Sequence, residues 1–454
     1  MIVILLSNSA TISGIIKEHI SIITKQLTID NPLFFKRLDL GLQNWGVDRS
    51  LKYYKVLSNT ALEVPIGYLQ PILKTLKELG YAIDPTDIID KRVTNKKSSF
   101  FNNLKFNATL RDYQTDIVKS CMGKSIGVVE AMTGSGKTVA FVALTLQRKE
   151  PTLILVNTLE LANQTIEAFT KFTNLVEDDI GFIGNGRFEL KPITIGLHQT
   201  MSKLNPQKFD LINQRIGQVI GDEIHIVAAE TWYKTMANIK AKYKFGFSAT
   251  PKRDDGLTEV IHYASGPVIH KVPKEKLESF LITPTLERIE TDYSFPLIST
   301  QEYQELIADL SSDKERNQLI LKTLRKEKKP SCLLCLRLSQ VNYFQEVLGD
   351  KAVSLTSKMK KKDRKEAMAK IKKGEVDIVI STYGLFSTGI DVPRLELLLL
   401  CAPIKSEIKL RQSAGRLMRT SEGKTSAKII DFVDVNIDLL KYQARHRSRI
   451  LNKL

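Results

Sequence analysis

Short apolar runs alternate with longer stretches of helical period along most of the chain. Runs at 126–130, 153–156, 193–197, 219–223 and 245–250 are rich in Val, Ile and Leu and bounded by polar or glycine-containing segments. Apolar character on successive residues marks strands covered on both faces, and helical segments between them make βαβ units of a parallel sheet. The rhythm resumes after about residue 310, with strands predicted at 331–336, 352–355, 376–381, 395–401 and 427–433. Two doubly wound α/β domains in tandem are therefore expected, over 104–275 and 276–454. The stretch 271–300 between them has no clear period, although 280–289 reads as a strand entering the second domain. Residues 1–98 mix short strands and helices and are expected to form a small α+β domain. Apolar positions within it predict a helix over 68–79, stopped at Gly80. The polar stretch 91–99 reads as a linker.

A chain of 454 residues accommodates two or three domains, each able to bury a core. Its 43% hydrophobic and 26% charged residues are ordinary for a soluble globular protein. No run of about 18 uncharged apolar residues occurs, so no transmembrane helix is expected. The apolar opening 1–6 lacks a basic flank and soon turns polar, which predicts a first strand, no secretory signal and a cytoplasmic location. Four cysteines, Cys121, Cys332, Cys335 and Cys401, are too few for a disulfide scaffold. Cys332 and Cys335 have the spacing of a redox pair or half a zinc site. Inside an apolar strand, with no second pair following, they read as core residues. The formal charge is +17 and unevenly spread. Residues 301–454 hold 31 Lys+Arg against 19 Asp+Glu, whereas the first 300 hold 36 against 31. A basic surplus concentrated in one third of the chain favours a polyanionic partner.

The strongest chemical signal is Ala131-Met-Thr-Gly-Ser-Gly-Lys-Thr138, after a predicted strand and opening a helix at Lys137. That is the context of a P-loop, although Ala131 replaces the first glycine of the general pattern. Gly134 and Gly136 let backbone N–H groups turn toward phosphate oxygens at the positive end of a helix. Lys137 then reaches the β- and γ-phosphates, and the Thr138 hydroxyl ligates Mg2+. Farther on, Asp222-Glu-Ile-His225 ends an apolar run, where a parallel strand delivers carboxylates to the ligand crevice. Asp222 is suited to hold Mg2+ and Glu223 to orient and deprotonate the attacking water. In Gln412-Ser-Ala-Gly-Arg-Leu-Met-Arg419, Arg416 and Arg419 fall at i and i+3 on one helix face. They either neutralise a transferring γ-phosphoryl group or form a solvated basic face.

Taken in order, these segments resemble the motif series of the superfamily 2 helicases. Leu110-Arg-Asp-Tyr-Gln114 resembles the adenine-reading glutamine motif, 131–138 motif I, and Asn157-Thr-Leu-Glu-Leu-Ala-Asn-Gln164 motif Ia. Asp222-Glu-Ile-His225 matches the DEXH box and Ser248-Ala-Thr250 motif III. Ser381-Thr-Tyr-Gly-Leu-Phe-Ser-Thr-Gly-Ile-Asp391 resembles motif V, and 412–419 motif VI. The resemblance implies two tandem RecA-like doubly wound parallel-sheet domains preceded by a small α+β domain. It implies ATP and Mg2+ as cofactors and nucleic-acid-stimulated ATP hydrolysis. Nucleotide contacts carried over by it are Arg111, Gln114, Thr133, Gly134, Ser135, Gly136, Lys137, Thr138, Gly389, Asp391 and Gln412. Catalysis falls to Lys137, Asp222, Glu223, Arg416 and Arg419, and nucleic-acid contacts to Thr158, His198, Gln199, Thr382, Tyr383 and Phe386. Core packing is the plainer reading of Tyr383 and Phe386. His225 is expected to link the ATP site to the second domain through hydrogen bonds. Leu159 stands where many relatives carry a basic residue, which leaves that contact to backbone amides and Thr158.

Within the superfamily, DEIH together with Ser248-Ala-Thr-Pro-Lys-Arg253 resembles the DNA translocases of the restriction-motor and XPB branch. Asn31-Pro-Leu-Phe-Phe and Leu62-Glu-Val-Pro-Ile-Gly67 resemble the small domain preceding the motor in UvsW-like branch-migration helicases of tailed phages. This implies branched or forked DNA as partner and action as a monomer away from membranes. An RNA-remodelling ATPase, the motor subunit of a restriction-type nuclease and a non-hydrolysing ATP-gated clamp are the alternatives. Lys358–Lys365 and Lys370–Lys373 read as a solvated helix face or a phosphate track. Lys441, Arg445 and Arg449 form one helical stripe open to the same two readings.

Overall fold

The computed structural model describes the whole chain apart from residues 1, 96–97, 133, 228, 250–252, 254, 274, 278–279, 297–301, 391 and 454. The chain divides into two compact units, one of residues 1–132 with 136–272 and one of 133–135 with 273–454.

The first unit opens with β1 (Val3–Leu6), β2 (Ala10–Ser13), α1 (Lys17–Gln26), β3 (Thr28–Asp30), α2 (Pro32–Asp39) and β4 (Ser50–Lys52). β5 (Lys55–Ser58), β6 (Ala61–Val64), α3 (Leu69–Glu78) and β7 (Ile88–Asp90) follow. α3 matches the predicted helix, and Gly80 beyond it takes the left-handed φ of 88° that a helix stop favours. Five strands form a sheet in the order β5-β6-β2-β1-β7, with only the β1–β7 pair parallel, while β3 and β4 pair with each other alone.

Next come α4 (Asp112–Met122), β8 (Ile126–Glu130), α5 (Lys137–Arg148), β9 (Thr152–Val156) and α6 (Leu159–Phe172). They lead to β10 (Ile180–Gly184), β11 (Arg187–Phe188), β12 (Ile193–Leu197), α7 (His198–Met201) and α8 (Pro206–Arg215). β13 (Gln218–Asp222), α9 (Ala229–Ala237), β14 (Tyr243–Ser248), α10 (Thr258–Ser265) and β15 (Val268–Lys271) complete the unit. The sheet order is β11-β10-β12-β9-β13-β14-β8-β15, parallel except for the short β10–β11 hairpin. β9, β12 and β13 are buried at every position, as central strands covered on both faces are. β13 stops at Asp222, one residue short of the predicted strand, because Glu223 turns into left-handed backbone at φ 48°.

The small domain and this sheet share one core. Ile12, Leu62 and Ile72 pack in the same cluster as Ala229 on α9 and Val260 and Tyr263 on α10. Tyr53 meets the rings of Tyr233 and Tyr263 at 4.9 and 5.2 Å, and Tyr68 meets Tyr263 at 5.1 Å. Gly67 is required here, since a Cβ on it would lie 2.3 Å from the His262 carbonyl oxygen. The stretch predicted as a linker is pinned as well. Val93 bridges to Ala241, Arg92 pairs with Asp90 at 2.8 Å, and Lys242 reaches Asp90 at 3.1 Å.

The second unit contains β16 (Thr285–Thr291), α11 (Tyr303–Ser312), α12 (Lys314–Glu327), β17 (Ser331–Cys335), α13 (Leu338–Leu348) and β18 (Ala352–Leu355). It continues through α14 (Lys361–Lys373), β19 (Ile378–Thr382), α15 (Tyr383–Gly389), β20 (Leu397–Leu400), α16 (Glu407–Leu417), β21 (Lys428–Asp434) and α17 (Asp438–Leu451). Its six strands are all parallel in the order β16-β21-β20-β17-β19-β18. Two buried ion pairs hold β21 to its covering helices. Arg316 of α12 meets Asp434 at 2.6 Å, and Arg447 of α17 meets Asp431 at 2.8 Å. All four cysteines are buried and free, and burial pushes the Cys332 and Cys335 thiols well above their ordinary pKa.

Candidate nucleotide and nucleic-acid sites

At the C-terminal edge of the first parallel sheet, the turn after β8 and the end of β13 bring three charged residues together. Gly136 takes φ 74° as the residue before α5, so the chain swings from strand into helix and Lys137 becomes the first helical residue. Its ammonium donates to Glu223 Oε1 at 2.6 Å and to the Ala131 carbonyl at 3.2 Å. Burial alone raises the Glu223 carboxyl, but the Lys137 charge and hydrogen bond outweigh it and hold the group below its usual value. Asp222 is pushed the other way, up to about 7, by burial and by the Glu223 charge beside it. Asp222 is 8% exposed, and its Oδ1 has no hydrogen-bond partner among the described residues. A buried carboxylate oxygen without a partner is costly unless something else meets it, and a divalent cation answers that need. Thr138 follows Lys137 in the first turn of α5, half-buried. Asp222 and Thr138 thus fit the Mg2+ of a nucleotide, and Lys137 fits its phosphates.

Gln114 stands behind this loop. Its Nε2 donates to the Gly136 carbonyl at 3.3 Å while its Oε1 accepts from the Arg111 N–H at 2.9 Å. Arg111 itself donates to the Tyr113 hydroxyl at 2.8 Å. His225 Nδ1 lies 2.6 Å from Ser248 Oγ and 3.4 Å from Glu223 Oε2, which ties the DEIH segment to the Ser-Ala-Thr segment inside the first unit. Burial lowers its pKa to about 4, so the ring is neutral at pH 7. Arg253 closes the network by donating to the carbonyls of His225, at 2.8 Å, and of Val227. In sequence Arg253 stood out only as the end of the Ser-Ala-Thr-Pro-Lys-Arg resemblance, with no role attached; its place in this network emerges once β14 is seen to end beside β13.

In the second unit Arg416 is buried, donating to the Ser387 and Ile390 carbonyls at 3.2 and 2.6 Å. It is no part of a solvated face; its bonds hold the end of α15, where Gly389 is the last residue. Gln412 is buried one turn earlier on α16. Arg419 lies past the end of α16, in an isolated bridge with Leu281, so the two arginines do not share one helix face. Gly134, at φ 88°, and the buried Ser135 cluster with this unit. Thr133 and Asp391 lie outside the described residues.

Three expected nucleic-acid contacts are corrected. Tyr383 and Phe386 are each 1% exposed in the core under α16, and the Tyr383 hydroxyl donates to the Ala402 carbonyl at 2.8 Å, so neither ring offers a face to a base. They sit on the inward stripe of α15, so helical spacing decides for packing. His198 is 2% exposed against Trp232, with ring centroids 4.8 Å apart, and burial lowers its pKa to about 3. Gln199 beside it is exposed. Thr158 caps α6, its hydroxyl accepting from the Leu161 N–H at 3.2 Å.

Thr382 does line a cleft of ≈ 480 Å³ at the C-terminal ends of β17, β19 and β20. Arg337, Lys405 and Lys409 line it too, and the Lys405 ammonium stands 3.9 Å above the Tyr303 ring. Arg337 precedes α13, and Ser406 caps α16 by accepting from the Lys409 N–H at 3.4 Å. Two helix N-termini and three cations around one opening attract an anion. These cations were missed because none belongs to a basic run; Arg337 and Lys405 follow the ends of β17 and β20, and Lys409 lies in the first turn of α16.

Residues 107–253 match the family described as type III restriction enzyme, res subunit, and residues 302–421 the helicase conserved C-terminal domain. A protein of Acanthamoeba polyphaga mimivirus, whose name makes it a candidate ATP-dependent RNA helicase, is 27% identical over 77% of this chain and 69% of its own length. The DNA 3'-5' translocase XPB2 of Sulfurisphaera tokodaii is 25% identical over 71% of this chain and 81% of its own. Among solved structures, a fragment of a candidate HsdR subunit of a type I restriction enzyme from Vibrio vulnificus superposes with TM-score 0.56 at 18% identity. It covers 91% of this chain and 78% of the fragment, a likeness of fold. With the motif series in order, the phosphate loop and DEIH box meeting at one sheet edge, and both domain families matched, the chain belongs to the superfamily 2 helicases and is an ATP-hydrolysing member of them.

Proposed function

We propose that the protein is a DNA motor that remodels branched DNA, by branch migration, fork reversal or unwinding, in phage replication, recombination or repair. The observation that carries the nucleotide half of this reading is the convergence of Lys137, Asp222 and Glu223 at one sheet edge. ATP supplies the γ-phosphoryl bond whose hydrolysis drives the cycle, with Thr138 and Asp222 holding Mg2+. Gln114 and the turn at Gly134 to Gly136 seat the nucleotide, and Lys137 leaves Glu223 to meet its phosphates. Glu223, so released, is the base for water. Arg416 and Arg419 take the charge-neutralising role that the resemblance of 412–419 to motif VI implies. Thr158 and Gln199 in the first unit, and Thr382 with Arg337, Lys405 and Lys409 in the second, receive the DNA backbone.

The choice of branched DNA rests on the resemblance of 31–35 and 62–67 to UvsW-like helicases and on the relative named a DNA translocase. The protein is proposed to act as a monomer in the cytoplasm; no helix of the described residues is long and apolar enough to cross a membrane. The second reading, RNA remodelling, is favoured by the viral relative named as an RNA helicase. Steady-state ATPase rates with equal phosphate concentrations of single-stranded DNA, linear duplex, four-way junction and structured RNA decide between them. Strongest stimulation by the junction is expected. Strongest stimulation by RNA refutes the DNA assignment and leaves the motor.

A further inference from the structure

The segment between α1 and β5 departs from the packing of the rest of the first unit. From Thr28 to Lys52 no residue is buried, and β3 and β4 pair with no other strand. Leu33, Leu38, Leu40 and Leu42 are all more than half exposed, and Trp45 is 92% exposed. The other tryptophan, Trp232, is fully buried.

The loop that carries Trp45 is nevertheless tied down. Arg37 Nε donates to the Gln43 carbonyl at 3.1 Å and the Leu42 N–H to the Arg37 carbonyl at 2.8 Å. Asn31 bonds across the base of the loop, from its Nδ2 to the Asp48 carbonyl at 2.8 Å and from its N–H to the Arg49 carbonyl at 3.0 Å. Gly41 and Gly46, at φ 66° and 70°, make the turns on either side of the tryptophan. Ordering a backbone to hold apolar side chains in water is not favoured by folding alone, so the tip is built to meet something.

Its chemistry narrows the choice. Lys36, Arg49 and Lys52 are exposed on the segment, with the Arg49 guanidinium 5.9 Å from the Phe35 ring. Asp39 and Asp48 are exposed too and leave the local charge near neutral, so apolar contact must dominate over attraction to phosphates. Aromatic side chains stack on bases of any sequence, and apolar residues insert where a base step opens. The foot of the segment reaches the motor. A Cβ on Gly256 would lie 3.7 Å from Pro32 Cγ, and Gly256 belongs to the loop whose Arg253 bonds His225.

We propose that Trp45, backed by Leu40 and Leu42, stacks on the base pair left exposed where the arms of a branched DNA part, with Lys36 and Arg49 at the flanking phosphates. This rests on the branched-DNA reading and gives it a contact residue.

The test compares Trp45→Ala with the unaltered protein for binding, without nucleotide, to a fork and to a dumbbell duplex of equal length whose ends are closed by loops. Trp45 is so exposed that its removal leaves the fold intact, which thermal unfolding checks. The fork is expected to bind the unaltered protein more tightly than the dumbbell does. Trp45→Ala is expected to lose about tenfold on the fork, the order of one lost base stack, and little on the dumbbell. The fork is also expected to quench tryptophan emission, and Trp45→Phe, retaining only buried Trp232, to abolish the quenching while keeping most of the affinity. A fork preference that survives in Trp45→Ala overturns the inference and leaves the branched-DNA reading standing. Equal binding of fork and dumbbell by the unaltered protein overturns both. A sedimentation coefficient that falls in Trp45→Ala, with no change in fork binding, assigns the tip to a second copy of the chain and overturns the stacking role.

Discussion

Replacing Glu223 by Gln probes the nucleotide site with two readouts that move in opposite directions. Lys137 Nζ and Glu223 Oε1 are 2.6 Å apart, with side chains 8% and 12% exposed. A phosphate must take over that ammonium when nucleotide binds, so the pair competes with the ligand. A hydrogen bond to a charged group in such surroundings contributes about 1.5–3 kcal/mol. A neutral amide acceptor keeps roughly half of this. The difference, about 1 kcal/mol, corresponds to about fivefold tighter ATP binding in Glu223→Gln. Removing a negative charge beside a polyphosphate acts in the same direction. Hydrolysis moves the other way, because an amide cannot accept the water's proton, and a loss of about 10²–10⁴-fold is expected. Titration calorimetry with ATP and phosphate release at saturating DNA measure the two effects on one preparation. Weaker ATP binding in the variant refutes the competition between Glu223 and phosphate. Turnover within tenfold of the unaltered protein refutes the role of Glu223 as base.

Two further outcomes concern stability. Arg316→Met leaves the Asp434 carboxylate, 1% exposed, without its ion-pair partner, which costs about 3–5 kcal/mol and lowers the second unit's calorimetric transition by about 10 °C. Adding Asp434→Leu is expected to recover most of that loss, and a single variant that melts within a degree of the unaltered protein contradicts the assignment. Asp90 is held well below the usual carboxylate range, chiefly by its hydrogen bond from Arg92. A lowered folded-state pKa contributes stability that is present above the unfolded value near 3.9 and is lost as pH falls below it. Asp90→Asn is therefore expected to unfold at lower urea than the unaltered protein at pH 7, with a gap that narrows steadily as pH falls below about 4; a gap independent of pH removes the ion pair as its cause.

Most strands of the two parallel sheets and the nucleotide loop were legible because central parallel strands must be apolar on both faces and because phosphate chemistry needs glycine, lysine and acid at fixed places. Two strands the sequence hid lie at or next to the sheet's edges: β15 is an edge strand and half exposed, and β10, second from the other edge, carries Gly181 and Gly184 among its five residues. For Tyr383 and Phe386 the packing reading holds and the contact implied by the motif does not, because a motif describes chain order, whereas burial depends on which face of α15 meets α16. His198 misled for the same reason, its ring covered by Trp232 from a helix 30-odd residues away in sequence. Arg337, Lys405 and Lys409 were invisible because they come from two segments distant in sequence, the β17–α13 turn and the stretch from β20 into the first turn of α16, which only the parallel sheet brings together.

The polar stretch at 91–99 carries the deeper lesson, since a linker and a pinned strand extension look alike in composition. What distinguishes them is distant: Ala241, Lys242 and the Ser125 hydroxyl, which together receive Val93, Asp90 and Arg92. The consequence is mechanical. The small domain docks on α9 and α10, and these are the helices that follow the DEIH and Ser-Ala-Thr segments. A helix that shifts with its strand end in response to the nucleotide cannot leave the small domain behind while Gly67 sits against the carbonyls of His262 and Tyr263. Protein interiors are close-packed and transmit such shifts without absorbing them. Whatever the small domain grips is therefore carried on the same body as Lys137, Asp222 and Glu223, which makes the domain part of the motor's first unit and no tethered accessory.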